Sequence, residues 1–327
     1  MVELTYRDAV IAALDEELAN DPMVFLMGQD VGRMGGNFAT TRGLYEKYGA
    51  ERIRDTPISE DAIVGVALGA GIAGFRPVPE VMFSSFLGCC MDELQNHMSQ
   101  IYYVSAGLCI PRLTLRTVNV FGRSSGCHHS GRPEASLMHL PGLVVLAPAT
   151  PYDVKAMLKY AIRSDDPVVF IENALLYGSL RGPIGGQDDF VPFGKASVAR
   201  SGSDITLISY SGTVRLALAA ASVLERRGIS SEVIDLRSLA PLDEQAILDS
   251  VTKTRRILVV EEDVRTCGVG AEVITRVTEK AWDILAGPPV RIAAADVPVP
   301  FSPPLEEAIG PSAKAVVESA FMLCQRA

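Results

Sequence analysis

Short apolar runs alternate with helix-length segments along almost the whole chain, and this alternation limits its fold more than any other feature. In the first half, apolar runs such as Val24–Gly28 are separated by segments of helical periodicity such as Glu60–Ile72. The other predicted elements of this half are strands at 113–120, 143–147 and 168–172, and helices at 7–20, 91–102 and 151–164. Alternation of this kind predicts parallel sheets covered by helices on both faces.

A stretch without periodicity divides the chain. Residues 177–191 contain four glycines, one proline and two acids, a composition typical of an interdomain linker. A second alternating unit follows, with strands predicted at 205–209, 231–236 and 256–261 and helices at 212–227, 243–253 and 270–286. We therefore predict two three-layer α/β/α domains, at 1–185 and 204–327, joined by a linker at 186–203.

Composition and charge narrow the class of protein. The chain has 30 basic and 39 acidic residues, a net charge of −9 that argues against a nucleic-acid partner. No run reaches the roughly 18 apolar residues of a membrane helix, and the first residues, MVELTYRDAV, do not resemble a signal peptide. The six cysteines form no C-x-x-C pair. We expect a cytoplasmic or organelle-matrix protein with neither nucleic-acid nor membrane partners.

Two short motifs suggest other functions. Gly69–Gly74 matches the G-x-G-x-x-G dinucleotide fingerprint, but it ends a helical segment, whereas the fingerprint requires a strand before it and a helix beginning at its glycines. Its small residues favour close helix packing instead. Gly122–Gly126 matches the G-x-S-x-G nucleophile elbow and makes Ser124 a candidate hydrolase nucleophile. No helix is predicted before about Pro133, which argues against this alternative.

The four histidines give a weak metal signal. A zinc site requires three or four ligands that converge from spaced positions, whereas Cys127, His128 and His129 are adjacent. His97 lies in a predicted helix and is expected to be a packed or surface residue. We predict no metal site built from this chain alone.

Glu60 is the most informative carboxylate. It ends the stretch Asp55-Thr-Pro-Ile-Ser-Glu60 and begins a helix of small residues. Helix capping is one explanation, with Ser59 as the cap and Glu60 favourable at the positive end of the helix dipole.

A series of motifs gives Glu60 a second explanation. The stretches DTPISE, VMFSSF, His129-Ser130, HLPGL, TPYDVK through AIRSDDPVVFIEN, and ADVPVPF occur in this order. Together they resemble the β subunit of the thiamine diphosphate-dependent decarboxylase of 2-oxo acid dehydrogenase complexes. The likeness runs from near Leu4 to Pro300. It implies a thiamine diphosphate pyrimidine-binding domain followed by a transketolase C-terminal-type domain.

The resemblance implies roles for four residues. Glu60 hydrogen-bonds a nitrogen of the aminopyrimidine ring and so activates the base that the cofactor itself supplies. Phe86 stacks on the pyrimidine, and Ile58 also contacts the cofactor. His129 handles a proton near the reacting carbon during acyl transfer to a lipoyl group. Two alternatives stay open: Phe86 as an ordinary core residue, and His129 as a loop residue without a role.

The resemblance also implies partners. No Gly-Asp-Gly, the usual thiamine-enzyme motif that holds Mg²⁺-diphosphate, occurs in the chain. We therefore expect Mg²⁺ to be held mainly by an α subunit, in an α₂β₂ heterotetramer that is active only when assembled. The expected substrate is a 2-oxo acid. The expected acyl acceptor is a lipoyl acyltransferase.

Three departures from the family pattern keep alternatives open. Gln29 stands where the family usually has Glu, Gly131 where it usually has Gln, and Val118–Phe121 where it is rich in glycine. They suggest a transketolase-like enzyme that transfers a two-carbon ketol unit from a ketose to an acyl carrier protein. They also suggest a non-catalytic scaffold subunit.

Overall fold

The computed structural model describes residues 2–325, which form two compact units. The first contains residues 2–120 and 128–193, and the second contains Phe121–Cys127 and residues 194–325. The predicted linker at 186–203 stays a prediction. Residues 181–183 and 197–200, near the ends of the region without periodicity, form strands.

Eleven α-helices and fourteen strands are described in residues 2–325. The helices are α1 (Tyr6–Asn20), α2 (Leu44–Tyr48), α3 (Glu60–Ile72), α4 (Ile101–Val104), α5 (Glu134–Met138), α6 (Pro151–Arg163), α7 (Thr213–Glu225), α8 (Glu244–Thr254), α9 (Val269–Ala281), α10 (Pro303–Ile309) and α11 (Ala313–Gln325). The strands are β1 (Glu3–Thr5), β2 (Val24–Gly28), β3 (Ile53–Asp55), β4 (Arg76–Val81), β5 (Leu113–Asn119), β6 (Val144–Leu146), β7 (Pro167–Asn173), β8 (Arg181–Pro183), β9 (Ser197–Arg200), β10 (Ile205–Ser209), β11 (Ser231–Asp235), β12 (Ser238–Ala240), β13 (Ile257–Val264) and β14 (Val290–Ala294).

The first unit is built on a parallel sheet. Its six strands lie in the order β6-β7-β5-β4-β2-β3, and every neighbouring pair is parallel. All seven residues of β5 and of β7 are buried, and successive side chains of a strand point to opposite faces, so both faces of the sheet are covered. The antiparallel pair β1–β8 lies apart from this sheet.

The second unit has a five-stranded sheet in the order β14-β13-β10-β11-β9. Only β9 runs antiparallel to its neighbour. Its core is formed largely by β10, β13 and the helices α7 and α11. Asp243 caps α8, since its Oδ1 accepts a hydrogen bond from the Ala246 N–H at 3.2 Å. The predicted α/β fold class is confirmed.

The predicted helix at 91–102 is helical over most of its length, but it is not a continuous α-helix. A 3-10 helix at Ser84–Cys90 leads into a π-helix at Glu93–Met98, and α4 follows. The Gln95 carbonyl accepts hydrogen bonds from the Ser99 hydroxyl at 2.6 Å and the Gln100 side-chain amide at 2.9 Å. The Ser99 N–H bonds the carbonyl of Leu94 instead, so side chains inserted into the ladder widen the turn.

Within the described helices, none is long and apolar enough to cross a membrane.

Candidate active site

Glu60 is the first residue of α3 and follows the carboxyl end of β3. Ser59 stands at the N-cap, but its hydroxyl makes no capping hydrogen bond, so side-chain capping does not account for this stretch. The Glu60 side chain is half-buried. Within residues 2–325 its carboxylate has neither a hydrogen-bond partner nor an ion-pair partner. As the first residue of α3, it lies at the positive end of the helix dipole.

The pKa of the Cys90 thiol is raised, and Glu60 is one of the groups that contribute to the shift. Helix α3 packs against the 3-10 helix Ser84–Cys90. Burial raises the pKa of Cys90 to about 12, and the charges of Cys89, Glu60, Asp61 and Glu93 add to the effect. Helix α3, which Glu60 begins, therefore packs against the segment that carries Phe86.

Phe86 and His129 lie in one aromatic cluster. The centroid of the His129 ring lies 4.7 Å from that of Phe83 and 5.4 Å from that of Phe86. The centroids of the two phenylalanine rings are 5.2 Å apart. Both Phe86 and His129 remain half-buried, so each keeps some surface for a ligand. The sequence reasoning missed Phe83, although the spacing of two phenylalanines around two serines was a usable signal.

Gly131 has a steric reason to be glycine. A Cβ placed on it would lie 2.7 Å from the Ser85 Cβ and 2.8 Å from the Ser85 Cα. Real Cβ atoms do not approach other atoms so closely, so a side chain here requires the loop to move away from the 3-10 helix. The family glutamine is therefore incompatible with this packing.

Ile58 lies in the loop between β3 and α3 and is 73% exposed. Its predicted contact with a cofactor stays a prediction.

Ser124 is not arranged as a hydrolase nucleophile. Its hydroxyl donates to the Glu306 carboxylate at 3.3 Å, and the backbone N–H groups of Gly122 and Ser124 bond the same carboxylate at 2.8 and 2.7 Å. The next helix, α5, begins only at Glu134. A nucleophile elbow requires a helix directly after the serine.

Among the fingerprint-like glycines, only Gly71 is closely packed; a Cβ on Gly69 or Gly74 would meet no atom within 4 Å. Gly71 lies in the last turn of α3, where a Cβ would be 2.6 Å from the Arg112 carbonyl oxygen.

In residues 2–325, no group of three or more His, Cys, Asp or Glu side chains could hold a metal ion.

A buried ionic cluster crosses the sheet near the carboxyl ends of its strands. Arg116 donates to Glu80 and to Glu172, each at 2.7 Å, and Tyr177 donates to Glu172 at 2.7 Å. Burial raises the pKa of Glu172, and the Arg116 charge opposes this effect. Burial also raises the pKa of Tyr177 well above its usual value. Sequence reasoning did not find this cluster, although a charged residue in each of three apolar strands was a usable signal.

Comparison with known proteins identifies the two units. Residues 2–179 match the family model of the transketolase pyrimidine-binding domain, and residues 194–316 match that of the transketolase C-terminal domain. The predicted pair of transketolase-type domains is confirmed.

Similar proteins cover nearly the whole chain. It is 42% identical to the pyruvate dehydrogenase E1 component subunit beta-2, mitochondrial, of Oryza sativa subsp. japonica, over 99% of this chain and 87% of that protein. It is 39% identical to the 2-oxoisovalerate dehydrogenase subunit beta of Bacillus subtilis, over 94% of each. A solved structure, a split gene transketolase described as an inactive beta4 tetramer, shares the fold with a TM-score of 0.82 and 24% identity, covering 99% of both chains. The chain belongs to the family of β subunits of the 2-oxo acid dehydrogenase E1 components, as its motifs predict.

Proposed function

We propose that this chain is the β subunit of a thiamine diphosphate-dependent 2-oxo acid dehydrogenase, which decarboxylates a 2-oxo acid and passes the acyl unit to a lipoyl group. The observation that carries the proposal is the carboxylate of Glu60, half-buried at the start of α3 and without a partner in residues 2–325. A carboxylate in this state is available to a ligand. The relatives at about 40% identity favour this reaction over ketol transfer and over serine hydrolysis.

The residues present fit thiamine diphosphate. Bound there, the cofactor would supply the carbon nucleophile and the electron sink that decarboxylation needs. Glu60 would accept a hydrogen bond from a protonated nitrogen of the aminopyrimidine ring and hold that proton in place. Phe86 would cover the ring face, where a stacking contact contributes about 1 kcal/mol. Ile58, exposed two residues before Glu60, would add apolar contact.

His129 would act on the substrate side. Its imidazole is half-buried, and neither ring nitrogen has a hydrogen-bond partner in residues 2–325. An imidazole whose ring nitrogens have no such partner is available to hydrogen-bond a ligand. We assign it the proton transfer that accompanies movement of the acyl unit to the lipoyl group.

The rest of the site would come from an α subunit. This chain has no Gly-Asp-Gly, and its described residues offer no metal-binding group. One hydrogen bond and one ring contact give a few kcal/mol, whereas micromolar affinity requires about −8 kcal/mol. Mg²⁺ and the diphosphate would therefore be held mainly by the α chain, in an α₂β₂ heterotetramer served by a lipoyl acyltransferase. The cytoplasmic location stays a prediction, since similar proteins include mitochondrial forms from plants and one from a bacterium.

Reconstitution tests the proposal. The chain is co-expressed with an α subunit, and CO₂ release is measured from 2-oxo acids of increasing side-chain size, with a ketose as the competing substrate. We expect release from at least one 2-oxo acid and little turnover by either chain alone. Turnover of the ketose only would favour ketol transfer. Stoichiometric labelling by a fluorophosphonate, lost in Ser124→Ala, would favour a hydrolase.

A further inference from the structure

Two consecutive serines hold the loop that carries His129. The Ser85 hydroxyl donates to the carbonyl of His128 at 2.7 Å, and the Ser84 hydroxyl donates to the carbonyl of Gly131 at 2.6 Å. The two accepting carbonyls lie on either side of His129 in sequence. The backbone is therefore fixed both before and after the imidazole.

Packing adds to these hydrogen bonds. The residues next to the serines, Phe83 and Phe86, both contact the His129 ring. Gly131 lies so close to Ser85 that it has no room for a Cβ. Four consecutive residues, 83–86, thus touch the loop at its imidazole, at two carbonyls and at its glycine.

The two hydrogen bonds differ in access to water. Ser84 is 1% exposed, so water cannot easily replace its hydroxyl, and its loss leaves the Gly131 carbonyl without this donor. Ser85 is half-buried, so water can substitute for its hydroxyl at lower cost. Ser84 is expected to matter more than Ser85.

We propose that Ser84 and Ser85 are positioning residues that hold the His129 imidazole in its working place between Phe83 and Phe86. The proposal rests on the proposed function through the role given to His129. Neither serine needs to touch the substrate, because each acts on the backbone of the loop. Small displacements of a proton-transfer group cost rate steeply, which makes this kind of support measurable.

The test uses the assembled α₂β₂ protein and separates two reactions. One is the lipoyl-dependent rate, which includes the proton transfer proposed for His129, and the other is oxidation by an artificial electron acceptor, which does not include that transfer. Ser84→Ala should lower the lipoyl-dependent rate about tenfold and Ser85→Ala about threefold, as expected for loss of a backbone-directed hydrogen bond. The artificial-acceptor rate should change by less than about twofold in both. Ser84→Thr, which keeps the hydroxyl, should restore most of the rate.

Ser222→Ala is the matched control. The Ser222 hydroxyl also donates to a backbone carbonyl, that of Leu218 at 3.0 Å, but in helix α7 of the second unit. It should leave both rates unchanged. In a His129→Ala background, Ser84→Ala should have no further effect, because the residue through which it acts is gone. An undiminished tenfold effect in that background would overturn the proposal.

A second readout does not depend on activity. Diethyl pyrocarbonate acylates accessible neutral imidazoles, and mass spectrometry can follow each of the four histidines separately. Ser84→Ala should speed the acylation of His129 several-fold while His97 and His139 serve as unchanged references. An unchanged rate at His129 would overturn the proposal. If Ser84→Ala does not assemble, Ser85→Ala decides by the same measurements. A full lipoyl-dependent rate in His129→Ala would instead contradict the proposed function, and the acylation rates then decide whether the serines hold the imidazole.

Discussion

The two units contain buried or half-buried carboxylates near the carboxyl ends of parallel strands, and they treat these groups differently. In the first unit, Glu60 follows β3, stays half-buried and has no partner in residues 2–325. In the second unit, Glu261 lies in β13 with no exposed surface. It accepts a hydrogen bond from the Gly270 N–H at 2.9 Å and lies 3.4 Å from Arg291.

The two carboxylates differ in their expected role. Glu60 is available to bind a ligand, whereas Glu261 stabilises the fold. A buried carboxylate needs internal partners, and Glu261 has a backbone N–H and a guanidinium beside it. Glu60 is half-buried, has no such partner in residues 2–325, and lies at the positive end of the α3 dipole. The same residue type thus indicates chemistry in one unit and structure in the other.

The largest effect is expected at Glu60. Glu60→Gln should lower turnover of the assembled enzyme by a factor on the order of 10² to 10³, because a neutral amide cannot hold the ring proton as a carboxylate does. Steady-state CO₂ release from the 2-oxo acid measures the loss. Asp61→Asn, the next residue of the same helix turn, is the control and should keep most of the activity. Near-full activity in Glu60→Gln would remove the distinction between the two carboxylates.

A smaller effect is expected at Glu261, on stability. Burial raises the pKa of this carboxyl from 4.5 to about 7, with Asp263 adding to the effect and the Gly270 N–H and Arg291 opposing it. Because the folded state holds the proton more tightly, the stabilising contribution is complete below about pH 4.5 and is lost as the pH rises through about 7. Glu261→Gln keeps a neutral side chain and should remove this pH dependence, which is on the order of 3 kcal/mol in the free energy of unfolding.

Urea unfolding at a series of pH values measures the difference. The single tryptophan, Trp282, directly follows α9 in the second unit and reports on its unfolding. Glu279→Gln changes an exposed glutamate of α9 and should retain the pH dependence of the natural chain. If the free energy of unfolding depends on pH in the same way in the natural chain and in Glu261→Gln, the pKa of Glu261 is not raised in the folded state.

The smallest effect is expected at Gln29, which directly follows the carboxyl end of β2 in the first unit. Its side-chain amide donates to Asp30 at 3.4 Å, and an amide cannot exchange a proton as a carboxylate does. We expect the two active sites of the heterotetramer to be activated at equal rates. Gln29→Glu should introduce a difference on the order of fivefold between them, visible as biphasic pre-steady-state kinetics. Strong half-of-sites kinetics in the natural chain would contradict this expectation.

The sequence predicts the regular parts of this molecule because periodicity alone determines them. Strand β2 and helix α3 have the predicted bounds. The π-helix escaped prediction because it depends on which side chains take the Gln95 carbonyl. The buried ionic cluster escaped because strand register, not local sequence, brings Glu80 beside Arg116.

The sequence also predicts only part of the candidate site. The motif series pointed to Glu60, Phe86 and His129, and the structure brings Phe86 and His129 into contact. The support from Ser84 and Ser85 could not be predicted, because it consists of hydrogen bonds to carbonyls more than 40 residues away.

Calorimetry with Mg²⁺ and thiamine diphosphate tests the central claim, that this chain supplies only the ring-side half of the site. The titration is carried out on the chain alone, on the assembled α₂β₂ protein, and on the assembly with Glu60→Gln. We predict no binding in the low micromolar range by the chain alone, and clear binding by the assembly, since a few kcal/mol from one hydrogen bond and one ring contact falls short of about −8 kcal/mol. Glu60→Gln should weaken the assembled site without abolishing binding. Low-micromolar binding by the chain alone would contradict the account.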